Sequence, residues 1–506
     1  MNRPTLNGQE RHIRIETIID RVEPLCVLGV ADGMKIADVV FDHREVKMDA
    51  LFCCLVGQHI DGHNFAREAA LAGATAFICE HSVTEEVFGA VQLVVAPGTA
   101  RIAMARAACA FYGDPSASMK TIGVTGTNGK TTTTYLLRSI LERNGLRTGV
   151  LGTLDGARTT PESPHLQRAL ARQRDAGCKA MAIEVSSHAL VQNRVAGMRF
   201  DVALFTNLTH DHLDFHGTME SYFQAKLKLF TPEYASVGVV NADDAYGRRI
   251  LDYNKIPVES YSLDDAKDLK IGVSSSEFRY AGRLVRLGLG GRFNVANALG
   301  AAKAAATLGI SDDVIAEGLS AAPPVAGRFE AIEAGGVVVL VDYAHTPNGL
   351  EEVLHAARSA LEGNGLNVHS SADPTKHGRL LVVFGAGGDR DRGKRPAMGA
   401  IASQFADGIV LTSDNPRGED PDVIIGEIRA GVDPAARIVV EPDRRRAIAL
   451  ALSQARPGDV VVVAGKGHET TQQFADRTIR FDDREVVREE FARLGLNVGE
   501  NARPRP

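Results

Sequence analysis

The stretch that decides the fold is KTIGVTGTNGKTTTTYLLRSIL, Lys120 to Leu141. An apolar run ends in a glycine-rich turn. The turn opens into residues whose apolar members, Leu136, Leu137, Ile140 and Leu141, recur at helical spacing. Strand, glycine turn and helix together form the setting of a phosphate-binding loop, in which backbone N–H groups curl around an anion at the positive end of a helix. The common spacing G-x-x-x-x-G-K-[ST] would place the first glycine at position 124, which is Val124; glycines stand instead at Gly123 and Gly126. The shift removes no functional group. Gly126, Thr127, Asn128 and Gly129 allow the curl, Lys130 can reach β- and γ-phosphates, and Thr131, followed by Thr132, can offer a hydroxyl to Mg2+.

Outward from this loop the chain divides into three blocks: 1–98, 99–330 and 331–506. At 506 residues it is too long for one core. The first block mixes short apolar strands (ALFCCLVG, ATAFICE, VQLVVAPG) with a helical stretch, FAREAALAG. The second opens on a helix, RIAMARAACAFYG, and carries further buried-type strands at AMAIEVS, DVALFTNL and ASVGVVNAD. In the third, near-continuous Val/Ile/Leu runs such as GVVVLVDYAH, RLLVVFGAGG and DVVVVAGKG argue a parallel sheet covered by helices on both faces. The fold class expected is α/β in three domains: an N-terminal α/β domain, a central parallel sheet of the phosphate-loop ATPase type, and a C-terminal Rossmann-like domain. Polar EGNGLNVHSSADPTKHG reads as a surface loop.

A net charge of −6, with no long basic block, argues against a nucleic-acid partner. The first residues hold no apolar signal core and no apolar run is long enough to span a bilayer, so a cytoplasmic protein without membrane insertion is expected. Six cysteines form no C-x-x-C pair and read as free thiols in apolar surroundings.

Three further stretches carry chemistry. Glu184 in MAIEVSSHAL ends a buried-type strand, where open α/β sheets bind ligands, and a carboxylate there suits Mg2+. In NLTHDHLDFHG, His212 and His216 stand four apart; a zinc site is conceivable, but no third nitrogen or sulfur ligand is near in sequence. In SYFQAKLKLF, Lys226 and Lys228 point to different faces of a helix, and composition alone reads both as solvated.

The ordered set GTNGKTT, EVSSHAL, NLTHDHLDFHG, YFQAKLKLF, GRFE, DYAHTP, GDRDRGKRP, DNPR and GKGHE resembles the Mur ligases over nearly the whole chain. In that family the shorter GTNGKTT loop is the ordinary form. The resemblance implies an ATP- and Mg2+-dependent ligase that joins meso-2,6-diaminopimelate to UDP-N-acetylmuramoyl-L-alanyl-D-glutamate through an acyl phosphate, in peptidoglycan precursor synthesis, and acts as a monomer. Gly126, Thr127, Asn128, Gly129, Lys130, Thr131 and Thr132 would hold the ATP phosphates. Asn294, Asn297, Arg328, Asp342 and His345 match the remaining nucleotide contacts. Thr131, Glu184 and His212 match metal ligands, and Lys226 matches a lysine that the family carries as a carbamate. His43, Thr159, Thr160, Ser186, Gln192 and Arg194 match contacts to the UDP-linked substrate. Arg390, Asp414, Asn415, Pro416, Arg417, Gly465 and Glu469 match the amino-acid pocket.

DNPR also has a physical reading. Arg417 can pair bidentately with the distal carboxylate of diaminopimelate, while Asp414 and Glu469 receive the ammonium. L-Lysine lacks that carboxylate and would leave the arginine unmatched. By itself, DNPR fits an ordinary Asx/Pro turn equally well. The chain departs from the family pattern at His43, where FDHREV replaces a D-S-R contact, and in a shortened segment between Gly152 and Thr159. EGNGLNVHSSADPTKHG looks like an insertion. Hinges near Gly327–Ala331 would let the third domain close over ATP. A folate polyglutamate ligase or a nucleotide-driven switch would share the phosphate loop, but not DNPR.

Overall fold

A computed structural model describes residues 5–498 apart from 7, 8, 58, 59, 88, 155, 157 and 363–377. The surface-loop and insertion reading of EGNGLNVHSSADPTKHG therefore falls almost wholly outside the described residues. Three large sheets organise the rest, and each is buried on both faces by its own apolar clusters.

The first sheet holds β1 (Cys26–Leu28), β2 (Asp38–Val40), β3 (Ala50–Cys53), β4 (Ala74–Cys79) and β5 (Val91–Val94) in the order β1-β5-β4-β3-β2, parallel except for the antiparallel edge strand β1. Helix α1 (Ala100–Tyr112) covers one face with Ala103, Met104, Ala107 and Phe111. Of the six cysteines, five are buried, whereas Cys26 is exposed on the edge strand.

The central sheet is wholly parallel. Its strands are β6 (Lys120–Thr125), β7 (Thr148–Leu151), β8 (Ala180–Glu184), β9 (Phe200–Phe205), β10 (Ala235–Asn241) and β11 (Val258–Tyr261), ordered β7-β8-β6-β9-β10-β11. Because β6 lies between β8 and β9, its C-terminal end sits where the strand order reverses, the place at which such sheets bind ligands. Helix α2 (Lys130–Arg143) follows the glycine turn, and Leu136, Leu137, Ile140 and Leu141 are all buried. Helix α3 (Met219–Leu227) packs on the opposite face through Tyr222 and Phe223. A three-stranded antiparallel sheet over 267–287 leads into helix α4 (Arg292–Thr307), whose alanines allow close packing on α2. The small sheet carries no phosphate-loop signal and went unread in the sequence.

The third sheet runs β12-β13-β17-β14-β15-β16, with β12 (Glu330–Ala334), β13 (Val337–Asp342), β14 (Leu380–Phe384), β15 (Gly408–Leu411), β16 (Ile438–Val440) and β17 (Val460–Ala464). Only the β12–β13 pair is antiparallel. Helices α5 (Pro347–Glu362) and α6 (Lys394–Phe405) cover one face.

An ion pair is sealed inside this third layer. Arg444 and Asp483, both 0% exposed, meet through Nε–Oδ1 and Nη2–Oδ2 contacts of 2.7 Å each. Arg444 also donates to the carbonyls of Ser413 and Ala464, residues that directly precede Asp414 and Gly465. Removing one member strands the other charge in the core, which typically costs about 3–5 kcal/mol. Asp483→Asn is therefore expected to move the urea midpoint of the third domain's transition down by roughly that stability. Combining it with Arg444→Met should recover part of the loss; equal stability of wild type and Asp483→Asn would contradict the account.

Candidate functional site

The glycine turn is fixed from both sides. Gly126 has φ +153° and Gly129 φ +85°; a Cβ would stand 1.9 Å from Thr206 Oγ1 at the first and 2.2 Å from Asn297 Oδ1 at the second. Thr127 N–H donates to the carbonyl of Asn207 (2.9 Å), Asn128 N–H to Asn207 Oδ1 (2.9 Å), and Thr206 Oγ1 to the carbonyl of Asn128 (2.6 Å). The NLTHDHL stretch after β9 thus braces the loop after β6.

Two lysines converge on the turn's interior. Lys130 Nζ donates to the carbonyls of Gly126 and Thr127, each at 2.8 Å, and Lys226 Nζ donates to the same Gly126 carbonyl at 2.9 Å. Lys226 is 1% exposed, with its ammonium 4.7 Å from the centre of the Tyr222 ring. The reading of Lys226 as solvated is overturned: it lies on the apolar face of α3, while Lys228 is exposed. Burial first, and repulsion from Lys130 second, push the Lys226 amine well below its ordinary pKa. Burial lowers Lys130 as well, with Glu184 and Asp211 pulling the other way.

Glu184, at the end of β8 and 1% exposed, accepts from Thr153 N–H (3.0 Å) and Thr153 Oγ1 (3.1 Å). His212 takes the left-handed φ of +53° and sets Nε2 3.3 Å from Asp211 Oδ2. Burial, and more weakly Lys130 and Lys226, lower its pKa and favour the neutral ring. His216 does not point to the same place: its Nε2 meets Ser187 Oγ at 2.9 Å and its ring stacks on Tyr222. Among the described residues no three His, Cys, Asp or Glu side chains form a metal-holding group, which leaves the zinc alternative without a ligand set. Mg2+ is different, since it needs only one or two protein carboxylates beside phosphate and water oxygens. The Glu184 carboxylate and the Thr131 hydroxyl, on the wall of one cavity with His212, fit that demand.

This cavity, about 890 Å³, joins the central and third layers. Its lining brings together residues 127–132 of the loop, Thr159, Glu184, His212, Asn294, Asn297, Arg328, Asp342 and His345. Arg328 Nη2 donates to Thr131 Oγ1 at 3.2 Å and its guanidinium lies 4.6 Å from the Tyr343 ring centre. Asp342 uses both oxygens on backbone: Oδ2 accepts from Phe329 N–H (2.6 Å) and Oδ1 from Ala344 N–H (2.7 Å), so it clamps the 327–331 connection. Asn128 Nδ2 reaches Asn348 Oδ1 across the gap at 3.1 Å. His345 Nδ1–H donates to the Tyr343 carbonyl, leaving Nε2 as an acceptor.

Of the other two residue sets, Thr159 alone lines that cavity. Thr160 Oγ1 donates to the Glu184 carbonyl (2.8 Å) and lies 3.3 Å from Ser186 Oγ; Arg194 donates to the Thr160 carbonyl and to Gln192 Oε1. His43 is apart from them in the first layer, stacked on Phe65 at 4.5 Å. On the third layer, Asp414, Asn415 and Pro416 are buried, Arg417 is half-buried and Arg390 exposed. Gly465 (φ +116°) lets β17's end approach within 2.4 Å, Cβ position to Asp414 Oδ2, and that oxygen is buried without a hydrogen-bond partner. Arg417 Nη1 donates to the Gly388 carbonyl at 2.9 Å. Glu469 is already engaged, by Asn415 Nδ2 and by the fully buried Lys466, both at 2.8 Å. Lys466, inside the GKGHE stretch, was not singled out from the sequence.

Residues 35–112 match the Mur ligase family catalytic domain, 124–305 the Mur ligase middle domain and 327–467 the Mur ligase glutamate ligase domain. The UDP-N-acetylmuramoyl-L-alanyl-D-glutamate–2,6-diaminopimelate ligase of Gloeobacter violaceus is 43% identical over 478 residues, 90% of this chain and 94% of that protein. The enzyme of that name from Geobacter metallireducens is 41% identical and covers 95% and 99%. A solved structure carrying the same name superposes with TM-score 0.65 at 31% identity, over 94% of this chain and 99% of the other. The Thermotoga maritima MurF ligase, solved in complex with ADP, shares the fold at TM-score 0.60 and 21% identity, over 90% and 97%. With its three sheets, its braced glycine turn and these likenesses, the chain belongs to the Mur ligase family.

Proposed function

We propose that the protein is an ATP-dependent amide ligase that adds meso-2,6-diaminopimelate to UDP-N-acetylmuramoyl-L-alanyl-D-glutamate, a cytoplasmic step of peptidoglycan precursor synthesis. The observation that carries this reading is one cavity lined by the phosphate loop, Glu184, His212 and Arg328, together with the buried, unpartnered Asp414 Oδ2 that the positive-φ Gly465 lets approach the end of β17. Full-length likeness to ligases of that name supports it.

The chemistry demands that the D-glutamyl γ-carboxylate meet the γ-phosphate of ATP, and that the amine then replace phosphate on the acyl phosphate. No protein nucleophile is needed; positioning and charge neutralisation suffice. Lys130 turns from its own loop carbonyls toward phosphate, and the loop N–H groups and helix α2 orient it. Mg2+, held by Thr131, Glu184 and His212, would screen the phosphate charge that the attacking carboxylate approaches. Lys226, whose amine burial pushes toward the neutral form, suits addition of CO2, the nitrogen releasing a proton to solvent as the N–C bond forms, to give a carbamate anion beside that site. Asp414 Oδ2 awaits the distal ammonium of the amino acid, and Arg417 pairs with the distal carboxylate. The engagement of Glu469 by Lys466 leaves Asp414 as the principal acceptor.

The function is tested by phosphate release with the UDP-linked dipeptide, ATP and Mg2+, comparing meso-diaminopimelate with L-lysine and weighing the product. Release with diaminopimelate alone, giving the tripeptide mass, is expected; ATP hydrolysis without an amide would overturn the reading. Arg417→Lys loses the bidentate fork. It should raise KM for diaminopimelate by about tenfold or more, equivalent to at least ~1.4 kcal/mol, while KM for ATP stays within about twofold. Gly129→Ala meets both the Asn297 clash and an unfavourable positive φ worth ~1–2 kcal/mol. Calorimetry with Mg-ADP should show its affinity reduced by about tenfold or more, with unchanged circular dichroism.

A further inference from the structure

The N-terminal edge of the central sheet, the end away from the phosphate loop, carries a row of cations. Lys120 opens β6, while Arg147, Lys179 and Arg199 stand directly before β7, β8 and β9. The backbone sets them side by side: Lys179 N–H donates to the Arg147 carbonyl (2.8 Å), Lys120 N–H to the Lys179 carbonyl (2.9 Å), and Thr121 Oγ1 to the Arg199 carbonyl (3.3 Å). With neighbouring strands about 4.8 Å apart, the row over β7-β8-β6-β9 spans about 14 Å. All four side chains are exposed. Arg172, exposed in the last turn of the helix Ser163–Asp175 that leads into Lys179, adds a fifth cation. Few carboxylates answer them. Asp201 accepts from Lys120 Nζ (3.0 Å) and Thr121 N–H (2.8 Å), Asp175 from Arg174 Nε (2.9 Å), and Asp114 from Arg21 Nη2 (2.6 Å). Among the described residues, no carboxylate lies within ion-pair distance of Arg147, Arg172, Lys179 or Arg199. Glu233, ahead of β10, ends the row. In a chain of net charge −6, unpaired cations collected at one edge are a local asymmetry of the field.

The apolar side of this edge narrows the partner. None of the exposed large apolar side chains lies within three positions of these five cations, and Phe200, next to Arg199, is fully buried. A stable protein interface is built around an apolar, desolvated centre, and a single-stranded nucleic acid binds on aromatic faces that stack its bases; the edge offers neither. A bilayer surface that bears anionic lipid asks only for several cations presented together, each of which strengthens attachment about fivefold. We propose that Lys120, Arg147, Arg172, Lys179 and Arg199 dock the protein on the anionic headgroups of a membrane surface. The attachment is peripheral, since no helix among the described residues is long and apolar enough to cross a bilayer. The phosphate loop and Glu184 stand at the opposite ends of the same strands, so the docked protein turns its cavity toward solution.

The test is co-sedimentation of the full chain with phosphatidylcholine vesicles, with and without about 30% phosphatidylglycerol. Wild type should pellet only with the anionic vesicles, and raising the salt from about 0.05 M to about 0.5 M should release it. Lys179→Glu combined with Arg199→Glu should weaken that binding about tenfold or more. Arg437→Glu combined with Arg456→Glu, an equal change of charge in the third layer, should leave it within about twofold. Unchanged circular dichroism shows that both double variants are folded. Equal pelleting with and without phosphatidylglycerol would overturn the proposal, as would full binding by the edge variant. Tighter retention by a DNA duplex than by anionic vesicles at the same salt, lost in the edge variant, would give the row to nucleic acid instead. Vesicle binding is read without turnover, so its outcome is independent of the ligase reading.

Discussion

The carbonyl oxygen of Gly126 accepts hydrogen bonds from two lysines, and much of the site depends on that one atom. It is exposed to both because Gly126 adopts a positive φ with no room for a Cβ beside Thr206. One lysine stands on the helix that the loop opens; the other rises from α3 on the far side of the sheet. Two ammonium groups cannot share one carbonyl in a buried setting at equal charge. Burial lowers both amines, Lys226 further because Lys130 repels it, while Glu184 and Asp211 offset part of the lowering at Lys130.

The third layer uses close backbone approach for a different end. A Cβ at Gly388 would fall 1.8 Å from the Pro416 carbonyl, and one at Gly465 2.4 Å from Asp414 Oδ2. Such contacts hold GDRDRGKRP, DNPR and GKGHE as one surface. Arg395, fully buried, ties Gly387 to Glu419, and Arg444 ties Ser413 to Ala464. Buried guanidinium groups thus fix the loops that carry Asp414 and Arg417.

Much of this was legible in the sequence because it rests on local signals. The glycine turn, its flanking strand and helix α2 follow from spacing within 22 residues, and the Val-rich strands of the third sheet announce burial on both faces. What stayed hidden depends on contacts distant in the chain. Lys226 and Lys228 are alike in composition, and only packing against Tyr222 and Gly126 buries the first. Lys466 is buried in part because Asn415, 51 positions away, accepts from its ammonium. Asp342, matched by resemblance to a nucleotide contact, accepts through Oδ2 from Phe329 N–H in the 327–331 connection, a contact 13 positions away that the sequence does not show. Antiparallel β12 and the small sheet over 267–287 escaped because each short strand interleaves charged residues with at most two buried positions, a pattern that resembles loop sequence.

The measurement that tests the central claim most directly is 13C NMR of the protein in 13C-bicarbonate near pH 8. If the shared Gly126 carbonyl and burial leave Lys226 uncharged, a carbamate carbonyl resonance should appear, vanish in Lys226→Arg, and persist in Lys228→Arg. Absence of that resonance, or its survival in Lys226→Arg, would contradict the assignment of an uncharged, CO2-reactive amine to Lys226.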